Sequence, residues 1–248
     1  MAEEARPCKN CGMLSQGNFC TRCGQRLSVH KVTFRETFED LSDALISVNA
    51  PLLITVRDLV IRPGDLLRNY LEGKRKRYYR PVAFFLLTTF LYIVIRSLIG
   101  FDPFRDSTVV VEGDKVDVSL LTEARNFMLI NINNFLFVFV LTLALLMKLF
   151  FYKRYSMAEF IAVSFYLLGI YTLLVTCNMF VVQYAGNNLQ PLGITIMWLY
   201  FIYAMISFMK RPAFWVVLKS IIVFLLAFMT YGVTSFGLSY LIVLSRQS

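Results

Sequence analysis

Four cysteines fall in the first 23 residues as two Cys-x-x-Cys pairs, Cys8-Lys9-Asn10-Cys11 and Cys20-Thr21-Arg22-Cys23. Two intervening residues let one tight turn aim both sulfurs at a single ion, and four thiolates form the tetrahedral donor set that zinc prefers. Gly12 and Gly24 each follow a pair, where a knuckle favours a left-handed backbone. The spacer from Gly12 to Phe19 is eight residues long, which suits a minimal zinc ribbon. Phe19 and Leu27 are the only sizeable apolar residues near the second pair, so metal binding would supply the folding energy of this head. Structural Zn2+ on Cys8, Cys11, Cys20 and Cys23 is the expectation, and a closed shell of four thiolates leaves no open position for catalysis. Two disulfides are the competing chemistry. Residues 1–6 carry Glu3 and Glu4 with no apolar signal core, and the charge pattern described below puts this end in a reducing compartment, where structural disulfides are rare. Cys177 lies in an apolar stretch and reads as a small buried side chain.

Other chemistry is sparse. The single histidine, His30, reads as a solvated linker residue. The chain has no Gly-rich phosphate loop, no HExxH and no GxSxG. An enzyme is therefore the reading ranked below binding and transport roles. Lys9, Arg22, Arg26 and Lys31 are isolated bases on the head, which argues against nucleic acid as a partner.

What must position the cysteines is mostly hydrophobic. The chain is 57% hydrophobic and 15% aromatic, with a mean hydropathy of +0.61, unlike a soluble domain of this size. Five stretches are long and apolar enough to span a bilayer: about 82–99, 127–151, 157–182, 189–209 and 213–244. The fifth is over-long, and Gly232 and Gly237 offer places for it to bend. Residues 1–81 hold fourteen Lys and Arg, with Lys153-Arg154 and Lys210-Arg211 in later alternate loops. The loop 100–126 is acidic on balance, and the turn near Ala185 to Gln190 is uncharged. The positive-inside rule then gives a cytoplasmic amino terminus and an extracytoplasmic carboxyl terminus. It also absorbs most of the +9 net charge. The fold class expected is an all-α polytopic membrane protein in three parts: a zinc ribbon at 1–30, a cytosolic or juxtamembrane helical segment at 31–81, and a transmembrane domain at 82–248.

The middle segment is the most patterned. Thr33 and Glu36 form a capping box ahead of Phe34, Phe38, Leu41, Leu45 and Val48, one apolar helical stripe. Its other face is acidic, through Glu36, Glu39, Asp40 and Asp43, which suits packing on protein better than lying on an anionic leaflet. Asn49-Ala50-Pro51 breaks this helix, a second runs to about Ile61, Arg62-Pro63-Gly64 breaks that one, and a third carries Leu66, Leu67, Tyr70 and Leu71. Lys74, Arg75, Lys76, Arg77 and Arg80 then abut the first span. They read as an orienting signal, with capture of a phosphate-bearing lipid headgroup as the sharper alternative. Tyr78 and Tyr79 fit the headgroup belt.

Charged residues inside the spans lie near their ends. Arg96, Lys148 and Lys219 are placed to snorkel, and Glu159 to pair with Lys153 or Arg154. Arg96, Asn131, Asn134 and Gln183 could line an outer polar site, against the plainer reading of interfacial helix ends. Residues 108–118 alternate valines and turn residues, the pattern of a small β-hairpin resting on another surface.

Cys8-x-x-Cys11, Phe19-Cys20-x-x-Cys23-Gly24-Gln25, Arg62-Pro63-Gly64, Tyr70-Leu71-x-Gly73-Lys74-Arg75 and Tyr79-x-Pro81 together resemble a family of uncharacterised bacterial integral membrane proteins with an amino-terminal zinc ribbon, a domain of unknown function. The resemblance covers about residues 8–100, with the later spans alike only in hydropathy. It implies a bacterial inner-membrane location and metal binding, and no reaction. The function expected is a non-enzymatic membrane adaptor, assembly factor or regulator that docks a protein partner on residues 1–72. The alternative is a lipid- or solute-handling membrane protein, which with so few spans would work as a homo-oligomer.

Overall fold

The computed structural model describes residues 5–27, 50–101, 118–185, 192–210 and 213–247. The proposed amphipathic helix at 33–48 and nearly all of the proposed β-hairpin lie outside the described residues; Val118, the hairpin's last residue, starts a helix. The head contributes two short antiparallel strands, β1 (Arg6–Pro7) and β2 (Leu14–Ser15), paired Arg6 to Ser15 and Pro7 to Leu14. The helices are α1 (Ala50–Ile61), α2 (Pro63–Leu71), α3 (Pro81–Ile99), α4 (Val118–Ile130), α5 (Ile132–Phe150), α6 (Met157–Ala185), α7 (Leu192–Met209) and α8 (Ala213–Gln247), with a 3-10 turn at Arg75–Arg77.

Among the described residues, four helical stretches are long and apolar enough to cross a membrane: Arg75–Ile99, Met157–Tyr184, Leu192–Met209 and Phe214–Arg246. A fifth crossing exists if α4 and α5, bent 83° against each other, count as one broken span. The second expected span is thus corrected: helix begins at Val118, inside the loop assigned to 100–126, and breaks at Asn131. The fifth expected stretch, 213–244, lies within α8, one 35-residue helix that Gly232 and Gly237 do not break. Its excess length has a use. Leu120, Ala124 and Val243 form a separate small core between α4 and the end of α8, and the Arg246 guanidinium sits 5.0 Å from the Phe127 ring centroid.

α6 is the centre of the bundle, with 72% of its apolar window buried inside the protein against 28–39% for the other three single spans. It packs on α3, α5 and α7. Gly169 makes its seam with α3 close, since a Cβ there would lie 2.5 Å from the Phe84 ring. Ser156 and Glu159 start the helix as a capping box: the Ser156 N–H donates to the Glu159 carboxylate at 2.6 Å and the Glu159 N–H donates to the Ser156 hydroxyl at 3.2 Å. Glu159 therefore caps α6, and no ion pair to it occurs among the described residues, contrary to the expected pairing with Lys153 or Arg154. Ser156→Ala should cost about 1 kcal/mol, whereas Glu159→Gln, which keeps the box, should be near neutral. Thermal unfolding of the two variants in detergent checks this contrast.

α1 and α2 are not an appendage. Leu59, Leu66 and Leu67 are at most 1% exposed and belong to the same core cluster as Phe84, Phe160 and Phe208. Each leucine so buried contributes about 1.5–3 kcal/mol, so the pair is held firmly on its own bundle. The break expected at Arg62-Pro63-Gly64 is present and confined to Arg62, which alone is outside helical geometry; Pro63 and Gly64 are the first residues of α2. Tyr78 and Tyr79 leave the expected headgroup belt for the core, at 4% and 8% exposure. The Tyr79 carbonyl accepts the Tyr166 hydroxyl at 2.5 Å and its N–H donates to Thr55 at 2.8 Å, so one residue ties α1, the start of α3 and α6 together. Cys177 is exposed on α6, not buried as read from the sequence.

Candidate metal centre and its docking

Each Cys-x-x-Cys pair folds the same way. The Gly12 and Gly24 N–H groups donate to the Cys8 and Cys20 carbonyls, both at 2.8 Å. The Cys8 and Cys20 N–H groups donate to the carbonyls of Met13 and Gln25, at 2.9 and 2.7 Å. Both glycines have the left-handed φ the spacing called for, 75° and 68°. The two turns face each other, so the close sulfur contacts cross between them: Cys8 to Cys23 and Cys11 to Cys20, both 3.6 Å. All four sulfurs lie within 4.8 Å of one another.

That geometry fits a metal ion. A tetrahedron with metal–sulfur bonds of about 2.3 Å spaces its sulfurs about 3.8 Å apart. The electrostatics point the same way. The Ser15 hydroxyl, then the Cys23 backbone, hold the Cys20 thiol down to about 6, largely thiolate at neutral pH. Cys11 rises to about 11: a hydrogen bond from the Met13 backbone lowers it, but burial and the three neighbouring cysteines raise it further. A bound dication removes that crowding penalty by neutralising the set. Around the sulfurs there is little else to hold the head: Phe19 is 58% exposed and Leu14 64%.

The Gln25 side chain joins the head to the loop before α3. Gln25, 4% exposed, donates its amide Nε2 to the Gly73 carbonyl at 2.7 Å and accepts the Lys76 N–H on Oε1 at 3.3 Å. Its own carbonyl belongs to the second cysteine turn, so metal site and basic turn are one hydrogen bond apart. Sequence reading passed over Gln25 except as part of a resemblance. Its partner is some fifty residues away in the chain, and no local pattern reveals that contact.

The basic run is partly turned onto its own chain. Lys74 donates to Asn69 at 2.9 Å, the Arg75 guanidinium lies 5.9 Å from the Tyr70 ring, and Arg77 lies 5.7 Å from that of Tyr78. Lys76 and Arg77 are exposed, and Arg80 is the half-buried N-cap of α3. Of the proposed outer polar residues, Arg96 donates to the Phe101 carbonyl at 3.2 Å and Asn131 to that of Phe127 at 2.9 Å, each closing its own helix end. Gln183 is exposed near the end of α6, and the Asn134 side chain lies outside what is described.

The basic residues at the opposite end of the bundle share a task that hydropathy did not disclose. Arg154 donates to the Met209 carbonyl, and Arg68 to those of Ser207 and of Phe208, the latter at 2.8 Å, so both close the end of α7. Lys148 donates to the Tyr152 and Tyr155 carbonyls at 2.9 and 2.7 Å, and Lys219 to that of Phe150 at 3.2 Å. A helix ends with orphan carbonyls and a partial negative charge, and cations answer both.

Residues 51–93 match a family described as a protein of unknown function (DUF3667). The matched segment runs from α1 through the basic turn into α3 and excludes the cysteines. No curated protein matches the chain, and no solved structure matches it.

Proposed function

We propose that this chain is a non-enzymatic adaptor, assembly or regulatory protein of the bacterial inner membrane, in which a structural zinc ribbon forms a fixed docking head. The observation that carries this reading is the Gln25 clamp, which seats the four-cysteine head on the loop before the first span. A head fixed at a set position presents one surface to a partner, whereas a tethered one would sample many. Zn2+ is the metal, held by Cys8, Cys11, Cys20 and Cys23, whose sulfur spacing suits its tetrahedron. The amino terminus and the basic loops face the cytoplasm, and the carboxyl terminus faces out. The partner is a protein contacting residues 1–72. α1 and α2 already face their own bundle, so the head carries more of that contact than these helices do.

Gln25→Ala removes one buried and one part-buried hydrogen bond and strands the Gly73 carbonyl, a loss of about 1–3 kcal/mol in docking. The head should then detach while the metal stays bound, and crosslinking with mass spectrometry in native membranes should show weakened partner capture. Unchanged partner crosslinks from a variant whose head is demonstrably loose would remove the docking role.

A further inference from the structure

α1 is apolar on the wrong side for a helix in water. Its inner face, Thr55, Asp58 and Leu59, is buried to 2% exposure or less. Its outer face repeats at i, i+7 and i+8 as Leu53, Val60 and Ile61, at 75%, 50% and 64% exposure. Between and after them stand Arg57 and Arg62, both half exposed and both tied to Asp58, at 2.8 and 3.5 Å.

The end of α1 is hung on α7. The Tyr200 hydroxyl donates to the Leu59 carbonyl at 3.0 Å and the Tyr203 hydroxyl to the Ile61 carbonyl at 2.6 Å. Tyr203 and Tyr200 precede Met209, the last residue of α7, by six and nine positions, which is about 9 and 14 Å along the axis. α7 has 18 residues, about 27 Å, against a hydrocarbon core of about 30 Å. It has no length to leave outside the bilayer, so its tyrosines lie within the slab, and so does the end of α1 bonded to them.

Three of the four carbonyls that end α1 meet the condition that location imposes. The last carbonyls of a helix are orphans, and in hydrocarbon there is no water to satisfy them. Here Asp58 O takes the Arg62 N–H at 2.9 Å, and tyrosine hydroxyls take Leu59 O and Ile61 O. The exposed face also continues onto α7, where Leu199 and Tyr203 are 56% and 43% exposed. Arg57 and Arg62 hold their guanidiniums on the Asp58 carboxylate, so neither brings an unanswered charge to this surface.

We propose that α1 is an interfacial helix inserted in the leaflet at the C-terminal end of α7, with Leu53, Val60 and Ile61 against lipid acyl chains. This rests on α7 spanning the bilayer. To test it, full-length protein carrying p-benzoylphenylalanine at Leu53, Val60 or Ile61, one at a time, is reconstituted in vesicles of phosphatidylethanolamine and phosphatidylglycerol. It is then irradiated, and adducts are identified by mass spectrometry. Leu199 serves as the lipid-facing control and Met13, exposed on the head, as the aqueous one. Lipid adducts at the three positions at a level comparable to Leu199 support the proposal. A level like that of Met13 overturns it, as do adducts to a second copy or to a co-purified protein. Failure at Leu199 itself would indict the span and not α1.

Discussion

Cys20→Ser should empty the metal site and unfold the head while leaving the helical bundle folded. Cys20 is 2% exposed, its sulfur lies 3.6 Å from that of Cys11, and its N–H holds the Gln25 carbonyl. Without the metal, two two-residue strands and a scatter of exposed side chains remain, with Met13 at 44% exposure and Leu14 at 64%. A structural metal of this type contributes about 10–16 kcal/mol of apparent binding free energy. That is as large as the whole stability of a typical domain, about 5–15 kcal/mol, so the metal decides whether this head is folded. The expected result is a fall from about one metal ion per chain to background by elemental analysis, with protease cleavage appearing in residues 5–27. Because Gln25 leaves with the head, the 73–76 loop should gain accessibility too. A variant that keeps its metal, or loses it and stays protease-resistant, would refute a metal-built head.

Gly64→Ala should be the most damaging single methyl addition in the bundle. A Cβ on Gly64 would lie 2.1 Å from the Ser207 carbonyl carbon and oxygen and 2.5 Å from the Phe208 nitrogen. All three are backbone atoms of α7, so no rotamer change relieves the contact, and α2 must move off α7. That movement breaks the Gly64 N–H bond to the Ser207 hydroxyl at 3.1 Å and the Arg68 bond to the Phe208 carbonyl at 2.8 Å. Overpacking alone costs about 1–3 kcal/mol, and each net hydrogen bond adds about 1 kcal/mol. The sum, about 3–5 kcal/mol, should appear as a large drop in thermal stability in detergent. Gly169→Ala makes the comparison, since the atoms nearest its Cβ belong to the Phe84 ring, 2.5 Å away, and the nearest backbone atom, the Phe85 Cα, is at 3.3 Å. The Phe84 ring must shift too, but a side chain can turn where helix backbone cannot, so the effect there should be smaller. Equal stability of Gly64→Ala and the parent protein would mean that α2 does not sit on α7 as described.

The head was readable because its constraints are local. Ligand spacing, the glycine after each pair and the short spacer all lie within 25 residues, and the structure brings the four sulfurs together as that spacing requires. The capping box at Ser156 and Glu159 was equally local, an S-x-x-E motif just before an apolar run. Its proximity to Lys153 and Arg154 makes the Glu159 carboxylate look like an ion-pair partner, which masks the helix start. Tyr78 and Tyr79 were misplaced for a different reason. A tyrosine beside a basic run at a span boundary suits headgroups by composition alone, and only the positions of Thr55 and Tyr166 show that the chain turns these residues inward.

Hydropathy by itself determined that the chain carries several helices long and apolar enough to cross a membrane, because a bilayer demands long apolar stretches wherever they fall in the order of the chain. Cysteine spacing determined which four sulfurs come together, because two-residue spacing acts through one turn. The tertiary structure alone decided what lies against what: Gln25 on the 73–76 loop, Gly64 on Ser207, α4 on the end of α8, and cations on foreign helix ends. These contacts join residues tens to more than a hundred positions apart. They depend on close approach and on orphaned backbone groups, neither of which leaves a periodic trace in the amino-acid order.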